Sequence, residues 1–251
     1  MTSQQSTFTH RTLLWYTYPT AAPSSITPHA SRNMKVLIAG ATGTIGSAIL
    51  RHCLDYSDIT SIVTLTRRQL PPQSPKCTNI VVNDWKNWDA NILASIADAD
   101  AMIWAIGTQD ANRDTNYNFI IAFQEAFRKV MRVDRQKRFR YIFVSGALVE
   151  PDQNKTLYLK AEARKLKGRA DNWTLDFAQK HRNVWQTWIV RSGMLSTNAI
   201  LRKLAELLIP IIEDEQIGAF VADLVVHGNE PEGVILNPRM LTRGTELLAL
   251  K

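Results

Sequence analysis

The sequence predicts an α/β protein: a doubly wound parallel sheet with helices on both faces and a small C-terminal lobe. Three observations carry that prediction. From Met34 onward, short apolar runs alternate with longer helical patterns, the arrangement of repeated βαβ units. The first run, residues 35–39 (KVLIA), is almost continuously apolar, as a strand covered on both faces must be. It leads straight into a glycine-rich turn and then a helix.

The elements follow in order. After the strand at 35–39 comes a helix over 45–53, then strands at 61–66 (SIVTLT), 79–82 (NIVV), 101–106 (AMIWAI), 141–144 (YIFV) and 187–191 (TWIVR). Helical spacing of apolar residues appears at 91–97, 116–133, 160–180 and 199–209. The tail adds a helix at 217–227, a short strand near 233–236 and a final connection. From about residue 192 it is expected to form a small lobe over the mouth of the sheet.

Residues 1–33 contain no Asp or Glu, many Ser and Thr, and three prolines. Such a stretch cannot bury enough surface to fold alone. It reads as a disordered leader, as the product of a start codon placed upstream of Met34, or as a mitochondrial presequence. The folded part is expected over 34–251. Its 45% hydrophobic content supports a core without metal or disulfide staples. Two cysteines, Cys53 and Cys77, make no framework and no metal pattern, so a reducing cytoplasmic setting is expected unless the leader directs the chain to mitochondria. No apolar run approaches the ~18 residues that span a bilayer. The net charge of +7 is concentrated in 128–140. Without an aromatic platform or zinc spacing, that segment reads as a solvated helix end and not as a nucleic-acid surface.

The turn is Gly40-Ala41-Thr42-Gly43-Thr44-Ile45-Gly46. Gly40 allows a sharp bend, Gly43 lets backbone approach a pyrophosphate, and Gly46 lets the helix pack closely. The helix N-terminus from Thr44 and Ile45 then offers unpaired N–H groups to an anion. This is a Rossmann-type dinucleotide loop in its confirming strand–turn–helix context. The second strand ends in Arg67-Arg68, where NAD-preferring enzymes place a carboxylate for the ribose hydroxyls. Two arginines there suit a 2′-phosphate, so NADP is expected over NAD.

The spacing G-x-x-G-x-x-G resembles the extended and atypical short-chain dehydrogenase/reductases, over roughly 34–228, and most closely the NmrA-like and Tat-interacting-protein-like NAD(P)-binding proteins common in fungi. Asn83-Asp84-Trp85 resembles that family's acidic turn beside the adenine. Ala105-Ile106-Gly107-Thr108 resembles its passage past the nicotinamide ribose. Arg191-Ser192-Gly193-Met194 resembles its Arg-Pro-Gly stretch, with serine for proline. The resemblance implies an NADP-dependent oxidoreductase acting on a small carbonyl or alcohol, with a place in secondary metabolism. It equally accommodates a non-catalytic NADP sensor, or a non-redox isomerase, dehydratase or cyclase.

Members of that superfamily carry a Ser, then Tyr-x-x-x-Lys on the helix after the fifth strand. Ser145 stands where the serine belongs, and Lys167-Gly168 resembles the lysine segment. Four residues before Lys167, however, is Ala163. The nearest phenol, Tyr158, reaches the site only if it belongs to the loop before the helix, and otherwise packs at the helix entry. Ser145, Tyr158 and Lys167 are the candidate catalytic residues, with Lys160 the alternative to Lys167 for holding the ribose.

Overall fold

The computed structural model describes residues 33–132, 137–193 and 211–250. Seven parallel strands form one sheet: β1 (Met34–Ala39), β2 (Ile59–Thr66), β3 (Cys77–Val81), β4 (Ala101–Trp104), β5 (Phe139–Gly146), β6 (Trp185–Ser192) and β7 (Gly233–Leu236). Their order is β3-β2-β1-β4-β5-β6-β7. The chain therefore runs outward in one direction from β1 and in the other from β4. The crevice between those two strands is the switch point at which such sheets bind ligands, beyond the carboxyl ends of the strands.

Alternation along each strand sorts the side chains between two cores. On one face Val36, Ile38, Ile103, Ile142 and Trp188 meet α1 (Thr44–Asp55) and α5 (Asp214–His227). On the other, Leu37, Trp104, Tyr141 and Ile189 meet α2 (Ala90–Ile96), α3 (Phe119–Val130) and α4 (Ala161–Lys180). This second face is dominated by aromatic rings, with Trp85, Trp104, Phe123, Phe127, Tyr141 and Trp185 in successive contact.

Where α3 was expected to begin at 116, the chain makes a π-type turn (Asp114–Asn118) that runs into the helix. The predicted strand 101–106 stops at Trp104, which frees Ala105–Gly107 to pass along the crevice.

The expected lobe has two parts. Residues 194–210, with the predicted helix 199–209, lie outside the described residues, as does the leader over 1–32. The remainder joins the main body. β7 extends the sheet beside β6 in parallel, with Arg191 opposite Leu236, and α5 lies on α1 in the first core. The final connection is in fact a helix, α6 (Asn237–Ala249), which starts with Pro238 in its first turn, a position where proline's fixed φ suits a helix.

Charge ties these elements together. Glu215 on α5 pairs with Arg51 and His52 of α1. Asp223 of α5 pairs with His227 at 2.9 Å and with Arg243 of α6 at 3.4 Å. Arg140 donates to the carbonyls of Val225 and Val226 at 2.6 Å, capping the C-terminal end of α5. Part of the basic segment thus serves the fold. No described helix is long and apolar enough to cross a membrane.

Candidate active site

The phosphate loop is built from backbone. Gly40 leaves β1 at φ 87°, and a Cβ there would lie 2.6 Å from the Ala105 carbonyl. The Gly43 N–H donates to the Gly40 oxygen at 3.0 Å, closing the turn. Gly43 then sits at the N-cap of α1 with no side-chain cap. The N–H groups of Thr44, Ile45 and Gly46 find no acceptor among the described residues. They open into a cleft of about 510 Å³ lined by Gly43 to Gly46. Gly46 has no alternative residue, because a Cβ would fall 2.0 Å from the Gly40 oxygen. Thr42 is exposed at the tip of the loop. Donors, absent side chains and helix end fit a dinucleotide pyrophosphate.

Ala39 stands opposite Leu65 in the sheet, which brings the end of β2 beside this loop. Arg67 and Arg68 follow there, both exposed, with no side-chain partner among the described residues. Asp84 follows β3, and its carboxylate accepts from the Lys86 and Asn87 N–H groups and the Asn87 amide. These bonds hold it below the usual carboxylate range. Gly107 lines the cleft. The loop after it is fixed by Asn116, a buried side chain that accepts from Thr108 N–H at 2.9 Å and donates to the Asp110 carbonyl at 2.8 Å.

The other wall is built from side chains. Ser145, at the end of β5, donates to Asp171 Oδ1 at 2.8 Å. Asp171 Oδ2 accepts from Arg191 Nε, also at 2.8 Å. Asp171 is fully buried, and burial pushes its carboxyl up, against the pull of Arg191 and Ser145. Lys167, one turn before Asp171 on α4, lines the cleft. Burial lowers its ammonium below the ordinary lysine range, against the pull of Asp171 and Asp110, and Lys160 lowers it further. Gly168 lets the loop after β5 lie on α4, since a Cβ would meet the Glu150 oxygen at 1.9 Å.

The structure brings Ser145 and Lys167 together and leaves Tyr158 out. Tyr158 is 95% exposed and is not part of the cleft wall. Helix α4 begins only at Ala161, after Lys160 in a left-handed conformation (φ 47°, ψ 36°), so the two residues before it fall outside the helical face. Lys160, Ala163, Arg164 and Lys167 all line the cleft, and the residue four before Lys167 on its wall is an alanine, not a phenol. Asp171 and Asn116 were missed in the sequence. Asp171 did carry a signal, standing four residues after Lys167 on one helix face.

Comparison with known proteins agrees with this architecture. The family described as the NAD dependent epimerase/dehydratase family matches residues 36–170. Protein FMP52, mitochondrial, of Eremothecium gossypii is 32% identical over 79 residues, which is 32% of this chain. The match spans about a third of that relative's length (34%). Among solved structures, a short chain dehydrogenase family protein from Francisella tularensis superposes with a TM-score of 0.60 at 16% identity, covering 81% of this chain and 96% of its own. Uronate dehydrogenase from Agrobacterium tumefaciens gives 0.58 at 16%, covering 81% and 76%. The Bordetella bronchiseptica enzyme WbmF, solved with NAD+ and UDP, gives 0.61 at 12%, covering 82% and 73%. At these identities the structures share the fold, the Rossmann fold of short-chain dehydrogenases.

Proposed function

The chain belongs to the NAD dependent epimerase/dehydratase family, and on that premise we propose that it is an NADP-dependent oxidoreductase acting on a small organic carbonyl or alcohol. One observation carries the reading: the glycine-built anion cradle and a Lys167 ammonium with no partner among the described residues open into the same cleft. When bound, the nicotinamide supplies or accepts a hydride. The N–H groups of Thr44, Ile45 and Gly46 meet the pyrophosphate, and Arg67 with Arg68 meet the 2′-phosphate.

Proton transfer falls to this chain's own groups. Lys167, whose ammonium has no hydrogen bond or ion pair among the described residues and is acidified by burial, holds the proton that a developing alkoxide takes up. It is replenished from solvent through the open cleft. Ser145 directs its own proton to Asp171, so its oxygen is free to accept a hydrogen bond from Lys167 or from a substrate hydroxyl. Asp171 and Arg191 position Ser145 without touching substrate.

The test titrates the full chain with NADPH and NADH, following nucleotide emission, and then adds a panel of carbonyl compounds while recording nicotinamide absorbance. Tight NADPH binding and loss of absorbance are expected. Arg67→Ala with Arg68→Ala should weaken NADPH by at least about tenfold and leave NADH unchanged. If neither nucleotide binds, the reading is wrong. A second reading, a non-catalytic NADP sensor, is favoured by Ala163 in the tyrosine's place and by the exposure of Tyr158. It expects tight NADPH binding with no oxidation by any carbonyl. Turnover without net absorbance change would instead assign a non-redox step.

A further inference from the structure

Three cations line the cleft beside α4: Lys160 at its N-cap, and Arg164 and Lys167 on the helix itself, three residues apart and so on one face. Among the described residues, no Asp or Glu contributes to the cleft wall. The carboxylates nearby are committed elsewhere. Asp171 is buried against Ser145 and Arg191. Asp110 accepts from the Thr108 hydroxyl. Glu150 pairs with Lys155 at 2.8 Å.

Among the described residues, the Lys160 ammonium makes no hydrogen bond or ion pair, although its carbonyl accepts from the Arg164 N–H at 3.0 Å. It is also the one non-glycine residue with positive φ among them, a conformation that glycine or asparagine would adopt more readily. Strained non-glycine backbone of this kind concentrates at functional sites. Arg164 is anchored, its Nε donating to the Leu148 carbonyl at 2.6 Å, and its terminal nitrogens have no partner among the described residues. The surrounding wall is apolar, with Phe143, Leu148, Val149 and Ala163. The Lys160 ammonium is near enough to lower that of Lys167. Asp171 and Asp110 pull Lys167 the other way, but among the described residues no carboxylate forms an ion pair with any of the three cations.

We infer that the substrate of this cleft is an anion, an apolar carbonyl compound bearing a carboxylate or phosphate that Lys160 and Arg164 bind. The inference rests on the oxidoreductase reading and names its substrate class. Lys167 is left for the reacting oxygen, while the anionic group fixes the substrate at the outer end of the cleft. A guanidinium held by its Nε presents two remaining nitrogens in a plane, a geometry suited to a carboxylate or a phosphate.

The experiment uses the full chain saturated with NADP+, whose binding is first measured in the same calorimeter. The probes are 4-formylbenzoate, its neutral methyl ester and inorganic phosphate. Wild type should bind the acid at least about tenfold more tightly than the ester, the scale of a charge-assisted hydrogen bond. The double variant Lys160→Gln/Arg164→Gln should bring the two probes within about twofold, with NADP+ affinity unchanged. Lys160→Gln alone, at an exposed position, should remove part of the preference and guards against misfolding from the lost Leu148 contact. Phosphate competing with the acid assigns a phosphate-bearing substrate, and no competition assigns a carboxylate. Equal binding of acid and ester, or a preference that survives the double variant, overturns the inference while leaving the nucleotide site standing. Failure of NADP+ to bind removes the oxidoreductase reading and this inference together.

Discussion

The two walls of the cleft are made in different ways. The wall from the end of β1 through the first turn of α1, where we propose the nucleotide binds, works through what its residues lack: Gly40, Gly43 and Gly46 clear space and expose N–H groups. The opposite wall works through what its residues carry. There Ser145, Asp171 and Arg191 come from β5, α4 and β6 and meet only because parallel strands and one helix bring them together. A backbone-built wall is specified by a few consecutive residues. A side-chain-built wall is specified by the whole fold, and a single substitution can change its chemistry without disturbing its shape.

The largest expected effect tests the side-chain wall. Lys167→Met should lower kcat/KM toward any carbonyl substrate by about 10²–10⁴-fold, with a smaller change in NADPH affinity. Tyr158→Phe, at a side chain outside the cleft, should leave both within about twofold. Steady-state kinetics paired with nucleotide titration measures the two variants together. Equal damage from both would return the phenol to the reaction and break the contrast.

Next comes the backbone wall. Gly46→Ala forces a methyl group against the Gly40 oxygen and should cost about 1–3 kcal/mol of stability, along with NADPH binding. Gly43→Ala meets the same oxygen only at 3.5 Å. It should therefore stay within about 0.5 kcal/mol of wild type in urea unfolding and lose affinity alone. If the two alanines behave alike, the distinction between packing and cradling glycines is mistaken.

The smallest effect lies on the α5–α6 face and serves as a control for both walls. Asp223 raises the His227 imidazole above its ordinary value, by hydrogen bond and by charge. A raised histidine contributes stability that is fully present below pH ~6.5 and is lost as pH rises through the folded-state value. Wild type should thus lose ground to His227→Gln as pH climbs past that range, with NADPH affinity indifferent to the substitution. Chemical denaturation across pH reads this directly.

The same division explains what could be read from residues alone. The strand–turn–helix at 34–55 was legible because apolar runs and glycine spacing are local properties. So was the doubly wound parallel sheet, since it follows from strand–helix alternation. The Asp171 network was not, because nothing near Asp171 in the chain announces that Ser145 and Arg191 will reach it. The position of Tyr158 depended on where α4 begins, and that is set by a left-handed Lys160 that no helix propensity foretells. The tail was underread for a related reason. Helix α6 has one buried face, with Met240 and Gly244 against its neighbours, and its start at Asn237-Pro238 resembles a turn until β7 is known to precede it.

The aromatic face of the sheet has an optical consequence. Trp104 ends β4 and is followed immediately by Ala105, Ile106 and Gly107, which form the cleft wall. Trp85 stacks edge-on against it at 5.8 Å, and Trp88 against Trp85 at 5.6 Å. Indole emission overlaps the absorption band of reduced nicotinamide but not that of the oxidised ring. The cluster is therefore a donor array behind the wall of the site, whose ultraviolet fluorescence should dim when reduced cofactor occupies the cleft and recover when that cofactor is oxidised. A nicotinamide bound there would thus have its redox state gauged by the protein itself, without a label.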